Sequence, residues 1–152
     1  MLKSLEGKTI LQIVPSLDVG GAERSTLDVA AAIVKAGGRA FVISAGGRMV
    51  NELEKSGAVH FSWEAASKDP RIIWKNHNLL KDFVEIERVN LVHVRSRAPA
   101  WSAYMATRKS KVPMVTTMHS SYNTKLPWEK FYNSIMTKGE RVIAISRSMA
   151  KD

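Results

Sequence analysis

Two glycines, three arginines and two histidines are the residues of this chain best suited to chemistry, and all follow short apolar runs. Gly20 and Gly21 close the segment ILQIVPSLDVGG, with Arg24 shortly after. The segment HVRSR supplies His93, Arg95, Ser96 and Arg97, and TTMHSSYN supplies His119, Ser120, Tyr122 and Asn123. Paired glycines let a ligand approach backbone N–H groups at the positive end of a following helix. Arginine adds a planar cation of fixed charge. Histidine adds a hydrogen bond or a proton carrier near neutral pH. Together they suit an anion. Taken singly, each has a plainer explanation: a tight turn for Gly20-Gly21, pairing with surface acids for Arg95 and Arg97, a structural histidine at 93 and a loop cap at 119.

The elements that must position these residues alternate along the chain. Apolar, β-branched runs predict strands over 8–14, 39–45, 58–63, 90–94, 112–118 and 140–146. Between them lie helical patterns. Leu27, Ala30, Ala31 and Val34 share one face before Gly37-Gly38, and a short helix ends at Gly57. From Pro70, the residues Ile72, Leu79, Phe83 and Ile86 form a stripe with Leu80 and Val84 beside it. Another helix has Pro99 in its first turn, and one more lies near WEKFYNSIMTK. The final residues RSMAKD read as the first turns of a further helix, so the chain looks cut. The pattern predicts an α/β fold, a doubly wound parallel sheet of about six strands with helices on both faces. Ligands of such sheets bind beyond the strands' carboxyl ends, where strand order reverses. In the order 3-2-1-4-5-6, the glycine loop and Arg95 would face one crevice, with His119 one strand away.

Composition narrows the partners. The 152 residues fit one domain with a sizeable core, and the net charge of +9 points to an anionic partner. The basic residues are mostly scattered among acids, and the aromatics lack the pattern of an RNA-reading sheet, so nucleic acid is not expected. There is no cysteine, which excludes disulfides and thiolate metal sites. No apolar run approaches the roughly 18 residues needed to span a bilayer, and the first residues lack a signal-peptide core. A cytoplasmic protein is the expectation. The sequence lacks G-x-G-x-x-G, the P-loop pattern, G-x-S-x-G and any D-x-D, and its histidines are too dispersed for zinc. The stretch Tyr122, Lys125, Trp128, Lys130, Phe131 and Tyr132 mixes cations with aromatics. It reads equally as a contact with an anionic membrane or as part of an ordinary helix core.

The segments IVPSLDVGGAERSTLDVAAAIVKAGG, VISAGGRMVNELEKSGA, LVHVRSRAPAWSAYMA, VPMVTTMHSSYN and RVIAIS, in this order, resemble the N-terminal domain of family 4 retaining glycosyltransferases. The likeness covers nearly the whole chain and is most specific for bacterial cell-envelope members of this GT-B group. It implies a Rossmann-like, acceptor-side domain over residues 1–152. It implies transfer of a sugar, with retention, from a nucleotide sugar to a lipopolysaccharide, capsule or lipid-linked glycan acceptor. By position, Gly20 and Gly21 would approach the donor phosphates and the acceptor, with Arg24 beside them, and His119 would lie by the transferred sugar as the catalytic candidate. Arg95, Ser96, Arg97, Ser120, Tyr122 and Asn123 are candidates for the acceptor cleft. No metal or other cofactor is expected, because cationic side chains and a helix N-terminus stabilise the departing diphosphate. The family's nucleotide-binding C-terminal domain has no counterpart in these residues, so the isolated chain is expected to be inactive. The alternative is a stand-alone module that binds an anionic sugar or phosphate without catalysis.

Overall fold

A computed structural model describes residues 3–122 and 125–150. The strands are β1 (Thr9–Ile13), β2 (Arg39–Ser44), β3 (Val59–Ser62), β4 (Leu91–Val94), β5 (Met114–Met118) and β6 (Arg141–Ala144). The helices are α1 (Gly21–Lys35), α2 (Val50–Lys55), α3 (Pro70–Ile86), α4 (Arg97–Ser110) and α5 (Pro127–Asn133), the last followed by a 3₁₀ turn, Ser134–Thr137. All strand pairs are parallel, in the order β3-β2-β1-β4-β5-β6. The predicted doubly wound sheet is therefore present, and strand order reverses between β1 and β4. Among the described residues no helix is long and apolar enough to cross a membrane.

Alternation along β1 and β2 divides the core in two. Leu11, Ile13, Phe41 and Ile43 meet α3, α4 and the 3₁₀ turn, while Ala40 and Val42 meet α1 and α2. Phe41, Phe61 and Phe83 pack edge-to-face, with ring centres 4.9–6.0 Å apart, in the geometry the ring quadrupoles favour. Asp69 caps α3 by accepting from Arg71 N at 2.9 Å, and Pro70 fills the first helical position, where its missing N–H costs nothing.

Three expectations need correction. The buried stripe of α3 is Asn76, His77, Leu80 and Val84, whereas Ile72, Leu79 and Ile86 are exposed. Asn76 explains the shift: its side chain accepts from Trp63 Nε1 at 3.1 Å and donates to Glu64 O at 3.1 Å, so the helix is rotated to bury a polar anchor. On α1, Thr26 and Ile33 are buried and Ala31 is not, because Thr26 returns its hydroxyl to Ala22 O and exposes no polar group to the core. Residues 145–150 make turns rather than a helix, with one helix-like bond from Ala150 N to Ser146 O at 3.2 Å.

The edge strand β6 also departs from the expectation of strands covered on both faces, since Val142 and Ile143 are both exposed. An outer strand has a neighbour on one side only.

Candidate functional site

The carboxyl ends of β1, β4 and β5 carry the candidate residues, and the loop after β1 is shaped by its neighbour. The β1–α1 and β2–α2 loops are zipped together by backbone bonds: Ala45 N to Pro15 O at 3.0 Å, Leu17 N to Gly46 O at 2.8 Å and Met49 N to Leu17 O at 2.7 Å. This presents Gly20 at the start of α1 with φ 153°, and no side chain caps the helix. The first-turn N–H groups and the helix dipole thus open toward the crevice. A Cβ on Gly20 would collide with the Glu23 carboxylate, which folds back over the loop, whereas a Cβ on Gly21 would meet nothing within 4 Å. Only the first glycine of the pair is required by the backbone.

Arg24 and Arg95, both expected at the crevice, stand in different surroundings. Arg24 is exposed and forms a two-pronged pair with Glu52, at 2.6 and 3.0 Å. That bond draws the Glu52 carboxyl below its ordinary pKa and raises Arg24. Arg95 is only 5% exposed, and its acceptors are neutral. Its Nε and Nη2 donate to Gln12 Oε1 at 3.2 and 2.8 Å, and its Nη1 donates to Ser25 Oγ at 3.0 Å. Gln12 in turn donates from Nε2 to Thr26 O at 3.0 Å. A buried cation without a carboxylate is costly, and burial lowers Arg95 to about 10, where it still holds its proton at neutral pH. It therefore acts as a fixed positive charge beneath the start of α1.

The histidines divide into one hydrogen-bonded across the sheet and one whose buried ring nitrogen has no partner among the described residues. His93 is buried and its Nε2 shares a 2.6 Å hydrogen bond with Thr117 Oγ1 across β4 and β5. Burial, with Arg95 second, lowers it to about 4, so it is neutral. The structural explanation of His93 is the one the geometry supports. His119 follows β5 and is half-buried, and its Nε2 is inaccessible to water and has no hydrogen-bond partner among the described residues. Burial and then Arg95 lower its pKa, while Glu23 opposes them. The imidazole is thus held toward its neutral form, which Arg95 favours and Glu23 opposes.

The remaining candidates form a second cluster. Ser96 precedes α4 without capping it by its side chain. Arg97 Nη1 donates to Asn133 Oδ1 at 2.6 Å, and its guanidinium carbon stands 4.3 Å above the Tyr122 ring centre and 5.6 Å from that of Tyr132. Arg97, Ser120, Tyr122, Tyr132, Asn133 and Lys68 line a cavity of about 510 Å³. Burial raises the Tyr122 and Tyr132 hydroxyls above their ordinary pKa, so both stay protonated donors. Asn123 lies outside the described residues. Trp128 and Phe131 are 65% and 68% exposed, so these two are not core residues.

Sequence reasoning missed Gln12, Ser25, Glu23 and Asn133. Gln12 did have a signal, as the one polar residue inside an aliphatic strand. No group of three or more potential metal ligands occurs among the described residues.

The family model for Glycosyltransferase Family 4 matches residues 19–152. A crystal structure of a glycosyltransferase from Rickettsia africae ESF-5 is 42% identical, with a TM-score of 0.82, covering 95% of this chain and 38% of that one. Anabaena HepE, crystallised with UDP and glucose, is 16% identical with a TM-score of 0.70, covering 93% of this chain and 39% of its own. MurG of Acinetobacter baumannii is 13% identical with a TM-score of 0.66, covering 90% and 41%. The last two likenesses concern fold alone. This chain spans about two fifths of the length of these structures. No curated protein matches it.

Proposed function

The chain belongs to Glycosyltransferase Family 4, and we propose that it is the acceptor-side half of an enzyme that transfers a sugar, with retention, from a nucleotide sugar to a glycan acceptor. The observation that carries this reading is the convergence, at the β1/β4 switch point, of an uncapped helix N-terminus, the buried cation of Arg95 and the unpartnered Nε2 of His119. A departing nucleoside diphosphate needs positive potential and gains it from α1 and Arg95 without a metal ion. Arg24 reaches the diphosphate only by leaving Glu52. A neutral His119 offers the transferred sugar a hydrogen bond once its ring turns to bring a nitrogen to the crevice. The cavity beside Arg97 takes the acceptor, an envelope glycan of the lipopolysaccharide, capsule or lipid-linked type.

Most donor contacts belong to a second domain, so residues 1–152 alone are inactive. Their surroundings are the cytoplasm, at the inner face of an anionic membrane. The test is release of nucleoside diphosphate from a panel of nucleotide sugars. Turnover by the complete protein and none by residues 1–152 is expected. Turnover by residues 1–152, or none by the complete protein with any donor, overturns the proposal.

A further inference from the structure

At the opposite end of the sheet from the crevice, by the amino ends of β5 and β6, lies a cavity of about 370 Å³. Doubly wound sheets bind their substrates beyond the carboxyl ends, so this cavity is no part of the site described above. Arg108 from the last turn of α4, Lys111 just after it, Lys138 after the 3₁₀ turn and Glu140 just before β6 all line it. Tyr104, Pro113 and Met114 add apolar surface. Three cations thus share the hollow with one carboxylate, and none of the four is in an ion pair among the described residues. Like charges gathered around a hollow repel one another, and an anion inside it relieves that repulsion.

The backbone fixes these side chains in place. Arg108 Nη1 donates to the Tyr104 hydroxyl at 3.1 Å, with its guanidinium carbon 5.6 Å from the ring centre. The hydroxyl has then accepted one bond and keeps its own proton to donate. Lys111 ends α4 in the left-handed region, at φ 55°, where glycine is the residue of least strain. A lysine at such a position points to a use for its side chain. On the other wall, Glu140 N donates to Met114 O at 2.7 Å, and a Cβ on Gly139 would stand 2.7 Å from the same oxygen. That close approach holds Lys138 and Glu140 against the start of β5. The helix dipole accounts for a cation at the end of α4 but not for Lys138, which comes from another element.

We propose that this cavity is a second binding site, for a small phosphorylated polyol. The phosphate meets Arg108, Lys111 and Lys138, the carbon skeleton lies against Tyr104, and the Tyr104 proton and Glu140 carboxylate meet the hydroxyl groups. Scattered surface lysines would attract any anion. A walled hollow with a donor and an acceptor beside its cations selects for an ester that carries hydroxyls. No step of sugar transfer passes through this site, so the proposal stands apart from the glycosyltransferase reading.

Titration of the complete protein with glucose 6-phosphate, read on backbone amide resonances, tests this. The amides of Lys111, Lys138 and Gly139 should shift with one-site saturation, while those of Gly20 and Gly21 stay still. Glucose and sulfate should each bind at least about tenfold more weakly, since each offers only part of the contacts. Lys138→Gln should weaken the ester about tenfold, and Tyr104→Phe should narrow its preference over sulfate. Lys111→Gly should weaken binding while raising the unfolding midpoint, because glycine relieves the left-handed strain. Lys111 and Lys138 are exposed, so the fold survives either change.

Equal affinity for sulfate and the ester, shifts confined to Gly20 and Gly21, or unchanged affinity in Lys138→Gln overturns the proposal. So does binding to phosphatidylcholine–phosphatidylglycerol vesicles through Lys138 without any response to glucose 6-phosphate, which makes this end of the sheet a membrane contact.

Discussion

The two corners of the candidate site are built by different means. At the β1 corner, main-chain bonds between the loops at 14–20 and 45–49 do the work, at 2.7–3.0 Å, and glycine is needed where the loops touch. At the β5 corner, side chains do it: Arg97 gathers Tyr122, Tyr132 and Asn133 around itself. A backbone-built corner presents the same N–H groups whatever its side chains, which suits a constant anion such as a diphosphate. A corner built from side chains can be re-cut by substitution, which suits an acceptor that differs between enzymes.

The largest effect should come from breaking the backbone corner. A Cβ on Gly47 would stand 2.7 Å from Asp18 N and collide with the Leu17 carbonyl, at φ 147°. Gly47→Val should cost about 3 kcal/mol or more by urea unfolding, while Gly21→Ala, with open space around it, should stay within about 0.5 kcal/mol. Similar costs for the two would refute the idea that loop contact, not glycine as such, shapes this corner.

The seam between the corners is His93 on Thr117, and acid should open it next. Its pKa falls on folding from 6.5 to about 4, so the folded state resists protonation. The associated stability is complete above pH 6.5 and is lost as pH falls toward 4, by about 3 kcal/mol. The loss of unfolding free energy between pH 7 and pH 4 should be larger in wild type than in His93→Gln by about that amount.

The side-chain corner should give less. Arg97→Ala removes a 2.6 Å hydrogen bond and a cation over two rings and should cost about 1–2 kcal/mol. Arg24→Ala breaks only an exposed pair with Glu52, and its urea midpoint should not move measurably. A larger loss for Arg24 than for Arg97 would reverse the ranking of the two arginines.

Most of the fold was legible because parallel strands buried on both faces announce themselves as aliphatic runs, and glycine pairs mark their ends. What misled was polar burial. Asn76 and Thr26 are hidden by bonds to Glu64 O and Ala22 O, and a hydrophobic stripe drawn without them points the helix the wrong way. The site was legible as a set of positions but not as a set of charges. Arg24 and Arg95 look alike in the sequence, and only the approach of Glu52 from α2 and of Gln12 from β1 makes one neutralised and the other bare. Such partners come from distant segments, so spacing carries no trace of them.

His119, just after β5, has a buried ring nitrogen with no partner among the described residues. The most direct measurement is turnover of the complete enzyme carrying His119→Ala, with saturating donor and acceptor, beside its unfolding midpoint. A loss of about a hundredfold with the midpoint unmoved is predicted. Unchanged turnover in a folded variant would contradict it and remove the crevice between β1 and β5 from the transfer step.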